Sequence, residues 1–464
     1  MEEILRSLLA TVGQEQLTGR YACDVATSPA VVDTRFRADE AAVALSLAGG
    51  ILTSHIWESQ TGRAQSLQVD QRVAALTLLS FMLQTQNGYP ICYPDTHRVW
   101  PAYPIMAPYE TRDGRHIYID GVYPHLRDGL LDLLDCPNNA TALSAAIKKR
   151  DARELEAEIN RREMCGTIVR TREEWLEHPQ GRLLNAMPMV KITKVKEGLP
   201  TGFVKGAQPL SGIKVLDITH VLAGPMSTRA LAGQGAQVLH LSGPNVFELF
   251  PFSIDTGHGK RNAFIDLKQE KDKLTLRQLI QKADIFVQGY APGKFKRFGF
   301  APEDLFAMKD GLIYLTVSCY GTEGPCGTWG GFEQLGQAAS GLMAAHSSLT
   351  APRLVPAAVC DYLTGYLGTL GMLAALIRRA SEGGSYHVEV SLARTAMWLL
   401  SLGHRKDAEI PGQLPADIGQ FLVDHETCFG NIRHLRPVVE YSETRPHFKY
   451  PVSALGSSSP VWVD

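Results

Sequence analysis

Two acidic residues in the second half of the sequence have surroundings that suit carboxylate chemistry. Asp361 is the second residue of CDYLTGYLGTLGMLAAL, whose small and apolar residues predict a helix. A helix dipole keeps a carboxylate at its N-terminus ionised, and an ionised carboxylate can attack an acyl carbonyl. Glu333 precedes a QAASG turn and can orient groups or shuttle a proton. The plainer interpretations are a helix-capping role for Asp361 and a solvated loop carboxylate for Glu333.

The elements that would position these acids are alternating strands and helices. GIKVLDITH predicts a strand over Ile213–Thr219, followed by a turn, a helix closed by Gly235 and a strand over Ala236–Leu241. Further strands are predicted at Ala263–Leu267, Asp284–Tyr290 and Leu312–Gly321. This alternation is typical of a doubly wound, Rossmann-like parallel sheet with its site at the strand carboxyl ends. The candidate site loops are therefore 219–225, 288–297 and 318–333.

Composition disfavours several classes of protein. A length of 464 residues predicts two or three domains, and a net charge of −2 argues against nucleic acid as the main partner. No apolar run reaches the roughly 18 residues of a membrane span. The acidic, amphipathic start MEEILRSLLATVGQEQL is unlike a signal peptide. Eight scattered cysteines and fourteen histidines without an HExxH pattern indicate reduced thiols and no metal site, so we expect a cytoplasmic protein.

The chain divides into five predicted segments. A hairpin around Asp113-Gly114 and two charged helical stretches indicate a small α+β domain in the first half. The segments are a helical unit, that small domain, a linker, the Rossmann-like core and a wrapping C-terminal segment, at 1–105, 106–175, 176–210, 211–402 and 403–464, respectively.

The helical unit repeats part of the core. Residues 62–80 can be laid on 383–401 without gaps, and the preceding Ala/Leu-rich stretches are similar in character. A helix pair is predicted over roughly 355–380, before the second copy. Because glycine, strand and helix keep their order, we interpret the pattern as a partial internal duplication. Chance similarity between Ala/Leu-rich helices is the alternative.

Six segments in chain order resemble a single family. They are KVLDITHVLAGP, GKRNAFIDLK, ADIFVQGYAPGKFKRFGF, GLIYLTVSCYGTEGP, GFEQLGQAASGLM and CDYLTGYLGTLGMLAAL. Together they resemble the family III CoA-transferases, which include formyl-CoA transferase, carnitine CoA-transferase and α-methylacyl-CoA racemase. PYETRDGRHIYID and REMCGTIVRTREEWLEHPQG are similar to the family's small domain. Since the family order is core, small domain and return to core, the chain resembles a rearranged or partly duplicated member.

The resemblance implies that Asp361 is a catalytic nucleophile and Glu333 a second catalytic acid. Attack of Asp361 on an acyl-CoA would give a mixed anhydride, and returning coenzyme A would convert it into an aspartyl-CoA thioester. An incoming carboxylic acid would then collect the CoA. The family's racemases carry a histidine immediately before the second acid, where this chain has Phe332. Because inversion by proton exchange needs two bases, Phe332 favours acyl transfer over racemisation.

The resemblance also implies a binding site for coenzyme A, with acyl-CoA as substrate and no permanently bound cofactor. The expected contacts are His220, Val221, Leu222, Ala223, Ile265, Lys268, Gly289, Tyr290 and Arg297. Lys268 and Arg297 would meet CoA phosphates, and Tyr290 would stack on adenine. Other cations of the family's site are missing at Ser242-Gly243 and near Gly330. Their substitutes would be Lys260, Arg261 or Lys294.

Two other functions remain open at this point. One is an acyl-CoA isomerase or racemase, and the other is a non-catalytic CoA-transferase-like subunit, because the family's glycine-rich lid is absent around 121–129. A doubly wound oxidoreductase is disfavoured, because LDITHVLAGP lacks GxGxxG and Ser242 stands where a ribose-binding acid is needed. Family members form interlocked homodimers in which one chain's small domain closes over the other's core. We therefore expect a homodimer.

Overall fold

The computed structural model describes residues 1–92, 104–406, 410–411 and 414–463 as alternating strands and helices. The strands are β1 Cys23–Ala26, β2 Leu67–Asp70, β3 Thr85–Gln86, β4 Tyr89–Pro90, β5 Met106–Glu110, β6 His116–Asp120, β7 Gly166–Ile168, β8 Lys191–Lys196, β9 Lys214–Ile218, β10 Gln237–Ser242, β11 Lys260–Phe264, β12 Ile285–Gln288, β13 Ile313–Ser318, β14 Ser385–Ser391, β15 Leu422–Thr427, β16 Gly430–Leu435 and β17 Val439–Tyr441. The helices are α1 Glu2–Thr11, α2 Ala38–Thr61, α3 Gln71–Leu76, α4 Ser80–Leu83, α5 Pro124–Leu134, α6 Ala140–Ile147, α7 Ala152–Arg161, α8 Arg172–Glu177, α9 Pro179–Ala186, α10 Ala223–Ala232, α11 Phe250–Thr256, α12 Glu270–Ile280, α13 Pro302–Met308, α14 Glu333–Ser340, α15 Leu342–His346, α16 Val359–Glu382 and α17 Leu392–Ser401. The predicted segments 1–105 and 403–464 each include residues outside this description.

The largest sheet belongs to the second half of the chain and has the order β11-β10-β9-β12-β13-β14-β8. Strands β9 to β14 run parallel to their neighbours, whereas β8 pairs antiparallel with β14. The strand order reverses between β9 and β12, and doubly wound sheets bind ligands at such a reversal, outside the strand carboxyl ends. The prediction of a Rossmann-like α/β fold is confirmed.

The predicted strands differ from the observed ones by one to three residues at their ends, and two elements call for comment. Strand β11 begins at Lys260 rather than Ala263, because Lys260 is drawn into the core by an ion pair with Asp217. The predicted helix pair over 355–380 is one continuous helix, α16, of 24 residues. Its glycines allow close packing, since a Cβ on Gly365 would lie 2.8 Å from the carbonyl oxygen of Ala223. This helix is long and apolar enough to cross a membrane, but 89% of its most apolar stretch is buried within the fold, as in a core helix.

The small domain is a three-stranded antiparallel sheet, β5-β6-β7, covered by α5, α6 and α7. Gly114 takes a left-handed conformation, with φ of 74°, in the predicted hairpin turn between β5 and β6. The domain rests on helix α14 of the core, where the backbone N–H of Arg170 donates to the carbonyl oxygen of Ala338 (3.0 Å). The carboxyl end of β6 consequently faces the start of α14.

The helical unit has the same order of elements as the end of the core. Helices α2 and α16 each have 24 residues and pack against each other. Strand β2 follows α2, pairs parallel with β1 and antiparallel with β17, just as β14 pairs with β13 and β8. The β8 strand that follows the small domain thus joins the core, and the C-terminal β17 joins the helical unit. The two units exchange strands within one chain.

Gly365→Ala tests whether close packing of α16 on α10 holds the core together. We expect the free energy of unfolding to fall by about 1–3 kcal/mol, because the new methyl group meets rigid backbone. The measurement is equilibrium unfolding in urea. Gly49→Ala in α2 is the matched control. It has nothing within 4 Å of the added Cβ and should be neutral or stabilising by up to about 1 kcal/mol. Equal losses in both variants would contradict this account.

Candidate active site

Glu333 binds the first turn of α16. One carboxylate oxygen accepts the backbone N–H of Asp361 (2.6 Å), and the other accepts the N–H of Cys360 (3.1 Å) and the side-chain amide of Gln337 (2.6 Å). The N-cap residue Ala358 has no side chain that could make these bonds. Glu333 therefore supplies the cap from α14, and it is buried, unlike the solvated loop carboxylate considered from the sequence.

Asp361 lies in the first turn of α16 but does not cap it. Its side chain is 5% exposed, and its carboxylate oxygens accept no hydrogen bond from any residue that the structure describes. Burial raises the pKa of Asp361 well above its usual range, and the carboxylates of Glu333 and Asp120 raise it further. The helix dipole favours the ionised form of Asp361, as expected from the sequence, but burial and the neighbouring carboxylates favour the protonated form. The group is an unpaired carboxyl with high proton affinity, held in a fixed place.

Asp120 is a third buried carboxyl, contributed by the small domain. It ends β6 and is fully buried, and one of its oxygens accepts the N–H of Val122 (3.1 Å). Its other oxygen has no partner in the described chain. Burial raises the pKa of Asp120 to about 7, although the Val122 bond acts in the opposite direction. Asp120 thus brings a proton carrier that titrates near neutral pH close to Asp361.

Aromatic rings close the site on the same side. Tyr123 of the small domain stacks on Phe332, with ring centroids 5.8 Å apart, and meets Phe247 edge to face at 6.1 Å. Burial raises the pKa of Tyr123, as does the nearby Glu248 carboxylate. Tyr123 and Phe332 are half-buried and Phe247 is exposed, and Tyr123 lies in the segment where the family's glycine-rich loop was sought.

The expected CoA contacts gather at the carboxyl ends of β9, β11 and β12. His220, Val221 and Leu222 form the turn after β9, and Ala223 begins α10. Val221 has a φ of 68°, a left-handed conformation that is strained for a β-branched residue. The N-terminus of α10 at a strand-order reversal is a place where backbone N–H groups bind phosphate in such folds.

His220 and Tyr290 are in direct contact. The His220 ring hydrogen-bonds to the Tyr290 hydroxyl through Nε2 and to the Glu248 carboxylate through Nδ1. The Tyr290 ring stands nearly perpendicular to His220, at 4.9 Å between centroids. Gly289 lies beside Thr219, and a Cβ there would come within 3.6 Å of it. The structure brings together the contacts predicted on the β9 and β12 loops and adds Glu248, whose negative charge opposes a polyphosphate.

The three remaining expected contacts are one apolar residue and two cations. Ile265 is buried just after β11, whereas Lys268 and Arg297 are exposed at the rim, the latter over the ring of Phe298 (4.8 Å). Lys268 and Arg297 are thus accessible to a ligand.

The three substitute cations already have partners. Lys260 is 2% exposed and donates to Asp217 (2.8 Å) and to the Pro225 carbonyl (2.7 Å). Burial favours a neutral Asp217, but Lys260 and His240 hold the pKa of Asp217 at about 2. Lys294 pairs with Glu163, and Arg261 donates to the carbonyls of Ser459 and Val461.

Two site residues were missed by the sequence reasoning. Asp120 lies in the hairpin string YETRDGRHIYID and Glu248 in the loop after β10, and neither has a local motif. One signal was present for Asp120, because it ends an apolar strand just before Gly121, where the family's lid was sought. Glu248 had none, because its role depends on contact with His220.

Asp120→Asn should change how stability depends on pH. A carboxyl whose pKa is raised from 3.8 to about 7 on folding stabilises the protein at acid pH, and this contribution is lost as pH rises towards 7. Asparagine keeps the bond to the Val122 N–H and cannot ionise. We expect the variant to gain stability over the parent between pH 4 and 8, by up to about 4 kcal/mol. Urea unfolding at several pH values measures this, with the exposed Asp132→Asn as control. A difference independent of pH would contradict the buried acid.

The chain is similar in sequence to several known proteins. The chain is 29% identical to an acetyl-coenzyme A transferase of Hypoxylon pulicicidum, over 76% of this chain and 70% of that protein. It is 31% identical to an acyl-CoA transferase of Gibberella moniliformis, over 53% of this chain and 46% of that protein, so it spans less than half of that relative's length. A crystal structure of a hypothetical protein from Mycobacterium tuberculosis has a TM-score of 0.40 and 28% identity, over 43% of this chain and 57% of that one.

A model of one family matches nearly the whole chain. It is described as CoA-transferase family III and covers residues 17–198 and 210–429. Those ranges include the small domain, Glu333, Asp361 and all of the expected CoA contacts. This chain belongs to CoA-transferase family III.

Proposed function

We propose that this chain transfers coenzyme A from an acyl-CoA to a carboxylic acid, with Asp361 as the nucleophile. The observation that carries the proposal is Asp361 itself, a buried carboxyl without a hydrogen-bond partner in the described chain, at the start of a helix that Glu333 caps. A purely structural aspartate in the first turn would accept a backbone N–H, and Glu333 has taken that task. The family membership gives the unpaired carboxyl a reaction to perform.

The proposed reaction has four balanced steps. A carboxylate oxygen of Asp361 attacks the thioester carbonyl, CoA thiolate leaves, and an acyl–aspartyl anhydride forms. The thiolate then attacks the aspartyl carbonyl, releasing the donor acid and leaving an aspartyl-CoA thioester. The acceptor carboxylate attacks that thioester, displaces CoA thiolate and forms a second anhydride. Attack of the thiolate on the acceptor's acyl carbon yields the new acyl-CoA and regenerates the Asp361 carboxylate.

The surrounding groups support this chemistry in separate ways. Glu333 holds the backbone of residue 361, so the nucleophile is positioned before substrate arrives. A carboxylate with a raised pKa is the more nucleophilic once ionised, and Asp120 can receive the proton that Asp361 must lose. Tyr123 and Phe332 shield the anhydride from water, which would otherwise hydrolyse it.

Coenzyme A would enter along the turn after β9. The N-terminus of α10 and the exposed Lys268 and Arg297 are proposed to meet its phosphates, and the Tyr290 ring the adenine. The Glu248–His220 contact occupies part of this path. We expect binding to displace Glu248 from His220, because a polyphosphate and a carboxylate repel each other at this distance.

The chain is proposed to carry one active site. The alignment that lays Gly62 on Gly383 also lays Glu40 on Asp361. Glu40 lies 3.5 Å from Arg405, whose guanidinium also binds its neighbour Asp39 at 2.7 Å. A carboxylate held beside a cation is a weak nucleophile, so the first copy lacks the unpaired acid of the second. The homodimer expected from the resemblance stays a prediction, and the chain's own small domain already covers Asp361.

An acyl-CoA isomerase is the second candidate, and one observation favours it. This chain has Phe332 where the family's racemases carry a histidine base, but Asp120 places another titratable group near Asp361. Two carboxyls on opposite sides of an α-carbon can exchange its proton. Loss of α-hydrogen to deuterated water without CoA transfer would support this reading.

Trapping the covalent intermediate tests the leading proposal. The full chain is incubated with acetyl-CoA and hydroxylamine, and its peptides are analysed by mass spectrometry. We expect a hydroxamate on the peptide that carries Asp361, because hydroxylamine attacks the aspartyl carbonyl of the anhydride or thioester. The peptide with Glu40 is the internal control and should stay unmodified.

Turnover of the variants completes the test. With acetyl-CoA and a panel of carboxylic acids, Asp361→Ala should lower the transfer rate by at least about a thousandfold. Asp132→Asn, on an exposed face of the small domain, should leave it unchanged. Full turnover in Asp361→Ala would refute the mechanism, and modification of Glu40 alone would place the site in the first copy.

A further inference from the structure

Three histidine side chains, one from the turn after α11 and two from the C-terminal strand pair, lie close together. His258 lies in the turn between α11 and β11, His425 lies on β15 and His434 lies on β16. One ring nitrogen of each lies within 4.8 Å of the others. His258 and His434 are fully buried, whereas His425 is partly exposed. None of the three belongs to the proposed acyl-transfer site.

The ring nitrogens have the bonding that a metal ligand set requires. The Nδ1–H of His434 donates to the Leu435 carbonyl (2.9 Å), which fixes the tautomer and leaves Nε2 unprotonated, as an acceptor for the His425 ring. His434 Nε2 lies 3.0 Å from His425 Nδ1. Both ring nitrogens of His258 are buried and have no hydrogen-bond partner in the described chain. An unpaired buried imidazole nitrogen costs free energy unless something binds it.

A second histidine group lacks this feature and serves as a contrast. His220, His240 and Glu248 also lie within 4.8 Å of one another. Both nitrogens of His240 have partners, the Thr219 carbonyl (3.0 Å) and the Asn262 side chain (3.1 Å). His220 is likewise bonded at both nitrogens. Hydrogen bonds satisfy both ring nitrogens of His220 and of His240, whereas neither ring nitrogen of His258 has a hydrogen-bond partner in the described chain.

Two ion pairs lie near the three rings. Arg229 is the nearby positive group, and it is paired with Asp255 (3.4 Å). Asp424 on β15 lies near His434 and is paired with Arg433 (2.8 Å).

We propose that His258, His425 and His434 bind one divalent transition-metal ion of the zinc type. Imidazole is a favoured ligand of such ions, and Zn–N bonds of 2.0–2.1 Å require ligand nitrogens about 3.3 Å apart in a tetrahedron. The His425–His434 separation is already near this value, whereas the His258 ring, whose centroid lies 3.9 Å from that of His434, must turn away from it to bind the same ion. The partly exposed His425 leaves a path for water to take the fourth position.

The metal would join the C-terminal hairpin to the core. Strand β15 pairs with β16, and β16 pairs with β3 of the helical unit, whereas His258 lies in the turn before β11 of the core sheet. An ion bound to all three histidines therefore ties together segments from both copies. The role is structural, and it is independent of whether Asp361 transfers acyl groups.

Metal titration of the full, chelator-treated chain tests the proposal. We expect one equivalent of Zn²⁺ per chain in a competition assay with a chromogenic chelator. Co²⁺ should give the intense visible absorption of a tetrahedral site with nitrogen ligands. Saturating Zn²⁺ should also raise the unfolding temperature, because the ion binds the folded state.

Variants of the ligands decide the assignment. His425→Ala changes a partly exposed residue, so the chain should fold normally and bind Zn²⁺ at least about tenfold more weakly. His434→Gln should do the same, with circular dichroism reporting its fold. His125→Ala, on an exposed surface of the small domain, is the control and should keep the parent affinity. Absence of stoichiometric binding, or unchanged affinity in both ligand variants, would overturn the site.

Discussion

The arrangement of this protein depends on the contact between Glu333 and the first turn of α16. A helix begins with backbone N–H groups that need acceptors, and Ala358 provides none. Glu333 satisfies two of them from another helix, so the start of α16 cannot shift without breaking buried hydrogen bonds. The same helix packs on α10, α2 and β14. The turn after β9, which would receive CoA, and the Asp361 carboxyl, which would attack the thioester carbonyl, are therefore both held by α16.

That arrangement places three carboxyl groups in a space with little water. Asp361 and Glu333 come from the core and Asp120 from the small domain, and burial raises the pKa of each. Their mutual repulsion favours states in which the cluster holds protons. Ionisation of Asp361 is thus tied to proton loss from its neighbours and to the closeness of the small domain. A site that opened to water would lose this coupling, so the packing of the small domain and the ionisation of Asp361 are linked.

The local patterns of the sequence were sufficient for the core. Alternating apolar strands and helices indicate the parallel sheet, and the small residues after Asp361 indicate the helix that it begins. They did not identify the capping role of Glu333, because its partners lie 27 and 28 residues further along the chain. Lys260 is the opposite case, since a lysine beside glycine looks like a solvent-exposed cation. Only the fold shows that Asp217 draws it inside.

Contacts between distant segments explain the remaining gaps. Asp120 lies near Asp361 only because the small domain packs on α14. His258 contacts the His434 ring only because the C-terminal hairpin packs against the turn after α11. The histidines follow no ligand-spacing motif, because two of them come from a strand pair and one from a turn far upstream. Sequence reasoning detects sites built by neighbours in the chain. It misses those built by tertiary contact.

The helical unit and the end of the core have the same order of elements but differ at the acid near the start of the long helix. Helices α2 and α16 keep equal length and their neighbouring strands keep the same pairing. The acid near the start of each helix has a different neighbour, which is Arg405 beside Glu40 and, among the described residues, a pair of carboxylates rather than a cation beside Asp361. Because an ion pair stabilises a carboxylate, Glu40 is held in its ionised form by Arg405, whereas burial and like charges favour the protonated form of Asp361. The small domain, which follows the helical unit in the chain, places Asp120 near Asp361 in the core.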